Sequence, residues 1–376
     1  MIIRNARIVG PDQEFLGSMG VTGPMIAELD SGAAMQTGED WQGDYLVPGL
    51  VELHTDNLEK HLMPRPKVRW PVLPAIMAHD AQVAAAGITT VLDAVAIGDI
   101  DADSLRNDLY AACVAGLALA AKHDVLKAEH FLHVRLELVQ ENLLSMFSPM
   151  LDNERLKLVS LMDHTPGQRQ WSDIAHFRTY VSGKRGWSAE KVELMLDNLR
   201  ERQQRFSSAN RRAIVAACQQ RATPVPLATH DDTTVAHVEE GVADGVIVSE
   251  FPTTEAAARA ARQHGLGIIM GAPNMVRGGS HSGNIGAADL ARAGLLDVLS
   301  SDYVPASLLH AAFLLREVGF TLPQAMATVS HNPARMIGLT DRGQIIPGQR
   351  ADFLRVRLFE GIPVVLNVWR AGRQVA

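Results

Sequence analysis

From Val47 onward the chain alternates apolar, strand-like runs with helical stretches, whereas the segments on either side show only short runs in which apolar and polar residues alternate. Residues 1–46 are punctuated by Gly10-Pro11, Gly17, Gly20, Gly23-Pro24 and Gly32, the spacing of a small β structure without a helix. The central pattern opens with VELHTD, runs through a helix around 75–86 and continues into ITTVLDAV after Gly87. Further strands are predicted at 131–139, 156–163, 223–230, 245–251, 267–270 and 297–301, each after a helical segment. Beyond Gly343, DFLRVRLF and PVVLNVWRAG return to alternation, with turns at Pro347-Gly348 and Gly372.

Eight strands separated by helices predict a (β/α)8 TIM barrel over 47–340, a fold whose chemistry sits at the C-terminal ends of its strands. An open doubly wound sheet competes, but it normally carries a glycine-rich phosphate fingerprint after its first strand, and none is present. The shared texture of 1–46 and 341–376 predicts a small composite β-sandwich domain built from both termini. Between His164 and Thr223 the connection runs to nearly sixty residues, rich in Arg and Lys, with a helix expected after Trp187-Ser188. Connections of that length in a compact domain are usually functional, so 165–222 is expected to be a helical lid over the strand ends.

The chain of 376 residues is long enough to bury a large core, and 47% hydrophobic with 20% charged residues is an ordinary folded composition. A net charge of −7 speaks against broad binding to nucleic acid or to an anionic membrane, while leaving room for a local basic pocket. The two cysteines, Cys113 and Cys218, fall in alanine-rich helical patterns and read as small buried residues, which fits a reducing cytoplasm. The start, MIIRNARIVG, alternates like a strand and lacks the layout of a signal peptide. The longest apolar stretch, around 111–121, falls short of the roughly twenty residues a bilayer span requires. A soluble, cytoplasmic protein is expected.

The polar residues at the strand ends carry the candidate chemistry. His54 and Asp56 end the first barrel strand, and their i, i+2 spacing turns both side chains to one face. Glu137 lies near the end of the third strand, on one face with His133 and Arg135; His164 follows the fourth, His230 ends the fifth and Asp302 follows the eighth. Taken singly, each is more often a capping residue or a satisfied core histidine. Three histidines and three carboxylates at one end of a barrel together predict a metal site. Mixed imidazole and carboxylate donors suit zinc, manganese or iron, and six ligands suffice for two divalent ions sharing a carboxylate. Asp302 is the expected holder of an attacking water and acceptor of its proton.

A second set of residues suits anions. Lys60, His61, Arg65, Lys67 and Arg69 crowd the loop after the first strand, Arg277 and GGSHSGN, with His281, follow the seventh, and Lys184 and Arg185 lie in the insertion. Glycines beside Ser and His expose backbone N–H groups to phosphate oxygens, and the basic side chains supply charge. No P-loop motif is present, and neither cysteine has a nucleophile constellation around it.

The stretches VPGLVELHTDNLEKH, PRPKVRWP, DAQVAAAGITTVLDA, SLMDHTPGQRQ, ATHDDTT, SEFPTT, GAPNMVRGGSHSGN and LLDVLSSDYVP occupy nearly the whole chain. In combination they make it resemble the amidohydrolase superfamily and, within it, the PhnM-type enzymes of phosphonate utilisation. That resemblance implies a metal-dependent hydrolase barrel with a composite β domain and a binuclear centre at the strand ends. It further implies hydrolysis of α-D-ribose 1-methylphosphonate 5-triphosphate to the 5-phosphate and pyrophosphate, one step of the carbon–phosphorus lyase pathway. The small phosphonate sugar triphosphate would account for the basic residues, with neither nucleic acid nor membrane as partner. A homo-oligomer and association with other phosphonate-pathway proteins are both compatible with it. The superfamily's usual His-x-His stands here as His54-x-Asp56. Its bridging group is matched by Glu137 on strand position, with Lys60 as a rival. Its two later histidines usually sit on the fifth and sixth strands, against the fourth and fifth here, which leaves His281 and Glu250 as further participants. The alternatives are another amidohydrolase activity, on a cyclic amide or as a deaminase, and a non-catalytic subunit of a phosphonate-processing assembly.

Overall fold

The computed structural model describes residues 1–32, 37–65, 68–99, 106–171, 173–280 and 283–376. The chain packs as two compact units, one comprising 1–93, 115–131 and 270–376 and the other 94–114 and 132–269. Its strands begin with β1 (Ile2–Val9), β2 (Glu14–Thr22), β3 (Met25–Asp30), β4 (Glu39–Asp40) and β5 (Tyr45–Pro48). The central series is β6 (Leu50–Thr55), β7 (Ile88–Ile97), β8 (Glu129–Glu137), β9 (Leu156–Met162), β10 (Leu227–His230), β11 (Val248–Glu250), β12 (Gly267–Gly271) and β13 (Val298–Ser300). The chain ends with β14 (Phe353–Phe359), β15 (Ile362–Arg370) and β16 (Arg373–Gln374).

In the first unit the two termini share one mixed sheet, in the order β16-β15-β14-β5-β1-β2-β3, with β4 on β1. The splice is β5, which runs parallel to β1 (Arg7 opposite Tyr45) and antiparallel to β14 (Phe353 opposite Pro48). One face of the sheet buries Ile3, Ile8, Met19, Ile26 and Phe353 in one cluster with Trp41 from the loop before β5, where Trp369 stacks on Phe353 at 4.7 Å between ring centres. The ends are also joined by charge: Asp44 accepts from Arg355 Nε at 2.6 Å and Arg357 Nε at 2.7 Å. Burial works against that carboxylate, but the two guanidiniums hold its pKa below the ordinary value.

VPGLVELHTD reads as one run in the sequence, yet it breaks at Gly49 between the terminal sheet and the central strands. A Cβ at Gly49 would lie 2.4 Å from Thr89 Oγ1 and 2.7 Å from its Cγ2, so only glycine lets the chain pass there.

The central strands pair in strict chain order from β6 to β13, and the pairs are parallel, as for β6 with β7 and β8 with β9. A parallel bridge between Thr55 and Asp302 brings the two ends of the series together, giving a nearly closed (β/α)8 barrel as the pattern predicts. All ten residues of β7 are buried, because helices cover parallel strands from outside and the uninterrupted apolar run is the result. Several helices after the strands start on hydroxyl caps: Thr234 accepts from His237 N–H, and Thr254 from Ala257 N–H.

In the second unit the long connection is helical over Ile174–Arg185, Ala189–Arg202 and Ser208–Gln219, joined by a π-helical turn at Gln203–Ser207. Ser188 caps the second of these helices. The connection has its own small core of Phe177, Val181, Val192, Leu196 and Leu199. Asp163 ties it down by accepting from Gln203 Nε2 at 3.0 Å and Ser207 Oγ at 2.9 Å. Among the described residues no helix is long and apolar enough to cross a membrane. Both cysteines are buried and form no disulfide, and burial pushes the Cys218 thiol up to about 12.

Candidate metal centre

In the first unit the site grows from the alternation of β6. Glu52 and His54 share a face two residues apart, and both are almost wholly buried. The Glu52 carboxylate accepts from His54 N–H at 2.6 Å, Ser301 N–H at 2.6 Å and Ser300 Oγ at 2.8 Å. Burial raises its pKa against the pull of those donors. It thus binds the end of β6 to the end of β13. Asp56 N–H donates to Asp302 O at 2.9 Å and Asp302 N–H to His54 O at 3.0 Å, while Thr55 Oγ1 donates to the same Asp302 carbonyl at 2.9 Å. Asp302 has a left-handed φ of 51°, an uncommon backbone state for a non-glycine residue. The result is that one donor atom each of His54, Asp56 and Asp302 lies within 4.8 Å of the others, with His54 Nε2 3.7 Å from Asp56 Oδ1.

The second unit assembles a similar group at the ends of β9 and β10. Glu137, at the end of β8, takes His164 by two bonds, 3.1 Å from its N–H and 2.5 Å from Nδ1. Burial disfavours a charge on His164, but Glu137 and then Asp231 outweigh it, and its pKa is raised. Glu250, at the end of β11, engages His230 Nδ1 at 3.1 Å and also accepts from Ser160 Oγ at 2.7 Å. Each histidine therefore has Nδ1 held by a carboxylate, which turns Nε2 the other way. Both Nε2 atoms approach Asp231 Oδ2, at 3.9 Å from His164 and 3.5 Å from His230.

A third convergence, in the first unit, is closed by hydrogen bonds. His79 Nε2 meets Asp93 Oδ1 at 2.7 Å, and His130 bridges Asp93 Oδ2 at 2.8 Å and Asp80 Oδ1 at 3.1 Å. His79 Nδ1 lies 3.0 Å from Asn57 Nδ2, whose other contact is Gln82 Oε1 at 2.9 Å. Burial lowers the pKa of His79.

The structure brings His54 together with Asp56 and Asp302, and His164 together with His230, with Glu137 behind His164. The anion-binding candidates are more scattered. Lys60 donates to the Tyr303 carbonyl and stands 4.9 Å over the Tyr303 ring. His61 Nε2 engages Gln82 Oε1 at 2.9 Å. Arg65 and Arg69 are exposed, and so is Arg277, the last residue of the helix Ala272–Arg277. Lys67 and His281 lie outside the described residues, as do the side chains of Lys184 and Arg185. Sequence reasoning passed over Asp231, Glu52 and Arg169. Glu52 carried a signal, being i−2 to His54 in the same strand. Asp231 carried none, since alternation turns it away from His230.

The donors present suit a divalent cation. Among the described residues Asp231 Oδ2 is a buried carboxylate oxygen with no hydrogen-bond partner, and two imidazole nitrogens stand 3.9 and 3.5 Å from it. A buried anionic oxygen in that position is costly until a cation shares it. Imidazole with carboxylate is the donor mix of zinc, manganese and iron sites.

The amidohydrolase family matches residues 151–376. The chain is 45% identical over 379 residues to the α-D-ribose 1-methylphosphonate 5-triphosphate diphosphatase of Escherichia coli (strain K12), with 100% of each chain covered. Among solved structures it is similar to N-acetyl-D-glucosamine-6-phosphate deacetylase from Mycobacterium smegmatis, with TM-score 0.65 and 15% identity over 100% of both chains. Dihydropyrimidinase from Brevibacillus agri NCHU1002 is similar with TM-score 0.61 and 11% identity, over 99% of this chain and 94% of that one. At these identities the two structures speak for the fold alone.

Proposed function

We propose, on the premise that the chain belongs to the amidohydrolase family, that it hydrolyses α-D-ribose 1-methylphosphonate 5-triphosphate to the 5-phosphate and pyrophosphate. The observation that carries this reading is the end-to-end similarity to the Escherichia coli diphosphatase. The paired His and carboxylate groups support it. His54, Asp56 and Asp302 would hold one divalent ion, and His164, His230 and Asp231 a second, with zinc, manganese or iron suited to both. When bound, such ions polarise a phosphoryl oxygen and make water a stronger acid.

The remaining work falls to the chain. Asp302 takes the proton of the attacking water, and its backbone bonds to β6 fix where that carboxylate starts. Glu137 joins the centre through His164, Glu250 through His230, and Glu52 through the His54 backbone. Lys60, His61, Arg65, Lys67, Arg69, Lys184, Arg185, Arg277 and His281 share the triphosphate and phosphonate charge, which a neutral amide would not require. The helical insertion at 165–222 acts as a lid on a barrel of 47–340, and 1–46 with 341–376 form the composite domain. The enzyme would act in the cytoplasm on this small molecule.

Phosphorus NMR of the purified protein with the triphosphate, loaded in turn with zinc, manganese or iron(II) and set beside a chelator-stripped control, tests the proposal. Pyrophosphate released only with metal is the expected result. No turnover with any of the three moves the assignment to a different substrate or to a non-catalytic role.

A further inference from the structure

His230 and Asp231 are consecutive, and consecutive residues of a strand point to opposite faces. For both to serve one ion the chain must leave strand geometry between them. It does so at Asp231, the first residue after β10, with φ at 56°. That backbone state is uncommon outside glycine, although an aspartate adopts it more readily than most residues. The surrounding structure has to hold it.

Arg169, from the PGQRQ stretch after β9, is placed to do so. Its side chain is 4% exposed. Nη1 donates to the His230 carbonyl at 3.0 Å and to Asp232 Oδ1 at 2.6 Å, so one nitrogen grips the turn on both sides of Asp231. Asp232 is itself buried, and its other oxygen accepts from Thr229 Oγ1 at 2.5 Å and Ser249 Oγ at 3.3 Å. Its carbonyl accepts from Thr253 N–H at 2.8 Å, while Asp231 N–H donates to Glu250 O at 2.9 Å. The second nitrogen of the fork reaches Glu240 Oε2 at 3.5 Å. Arg169 has its own left-handed φ of 49°, a second strained residue spent on the same contact. The guanidinium thus meets the turn at a main-chain carbonyl and at Asp232, and not at the imidazole of His230 or the carboxylate of Asp231.

We propose that Arg169 is a positioning residue: its guanidinium locks the His230–Asp231–Asp232 turn and thereby sets the metal affinity of the His164, His230 and Asp231 group. The proposal rests on the reading above that this group holds an ion. A rigid planar fork is what the position uses, and a lysine ammonium, a flexible point charge, would keep the pairing with Asp232 without fixing the carbonyl as well.

The test is zinc titration of the chelator-stripped full-length protein against a chromogenic competitor, with melting temperatures of stripped and loaded protein, for wild type, Arg169→Lys, Arg169→Met and His230→Ala. We expect one zinc equivalent to be lost in His230→Ala. The same equivalent should weaken about 10- to 100-fold in Arg169→Met, and by less in Arg169→Lys. If both Arg169 variants lower the stripped melting temperature yet keep wild-type zinc affinity, the residue is merely structural and the proposal is overturned. Should Arg169→Met not fold, Arg169→Lys decides alone by the same criterion. Zinc binding unaffected by His230→Ala would instead overturn the metal assignment of this group, and the positioning role with it.

Discussion

His130 offers a stability prediction whose sign follows from its partners. Both ring nitrogens face carboxylates, Asp93 Oδ2 at 2.8 Å and Asp80 Oδ1 at 3.1 Å. Burial disfavours the imidazolium, but the two carboxylates outweigh it and the pKa rises from 6.5 to about 9. Asp93 and Asp80 are both lowered, so they stay charged above neutrality. A raised folded-state pKa contributes stability that is fully present below the unfolded value and is lost as pH rises through the folded one. At about 1.4 kcal/mol for each tenfold change, the buried imidazolium is worth roughly 3 kcal/mol below about pH 6 and nothing above about pH 10. For a chain of 376 residues, an unfolding entropy of roughly 2 cal/mol/K per residue converts that to about 4 °C in melting temperature. His130→Gln keeps a polar side chain but no titrating charge. Calorimetric melting of wild type and variant across the window from about pH 6 to about pH 10 should show their gap narrowing by about 4 °C. A gap that stays constant over that range would refute the argument, because His130 would then not be the group that carries the proton.

Gly49→Ala should destabilise the protein by about 1–3 kcal/mol through overpacking on Thr89, whose Oγ1 would stand 2.4 Å from the new Cβ; urea unfolding checks this, and Thr89→Ala in the same chain should recover part of the loss. Asp302→Asn should lower kcat by about 10²- to 10⁴-fold with the circular dichroism unchanged, since the backbone of residue 302 makes the bonds that close the barrel; a near-wild-type rate would remove it as the base. Arg277→Ala should raise KM for the triphosphate while leaving bound metal, measured by elemental analysis, as in wild type; equal losses of both would mark a structural residue.

Local periodicity was enough to place the eight barrel strands, because each is a largely buried apolar run bounded by turn signals, as in ITTVLDAV after Gly87. It also made His54 and Asp56 legible as partners, since i and i+2 share a face whatever the rest of the fold does. Much of the polar chemistry was not legible this way. Asp231 reaches the side of His230 only through a left-handed residue after the strand, which alternation forbids and which neighbouring segments must stabilise. Glu52 looked like one more polar residue in VELHTD until Ser300 and Ser301, some 248 residues on, supplied donors for it. Arg169 likewise acquires its role only from residues more than sixty positions away, and His79, Asp93 and His130 become one network only when α and β segments from separate stretches are packed together. The elements and their order were readable from the residues alone, because hydrophobic spacing acts between near neighbours along the chain. Which buried polar atoms meet was settled by packing, because each such group is stable solely where distant segments bring it a partner.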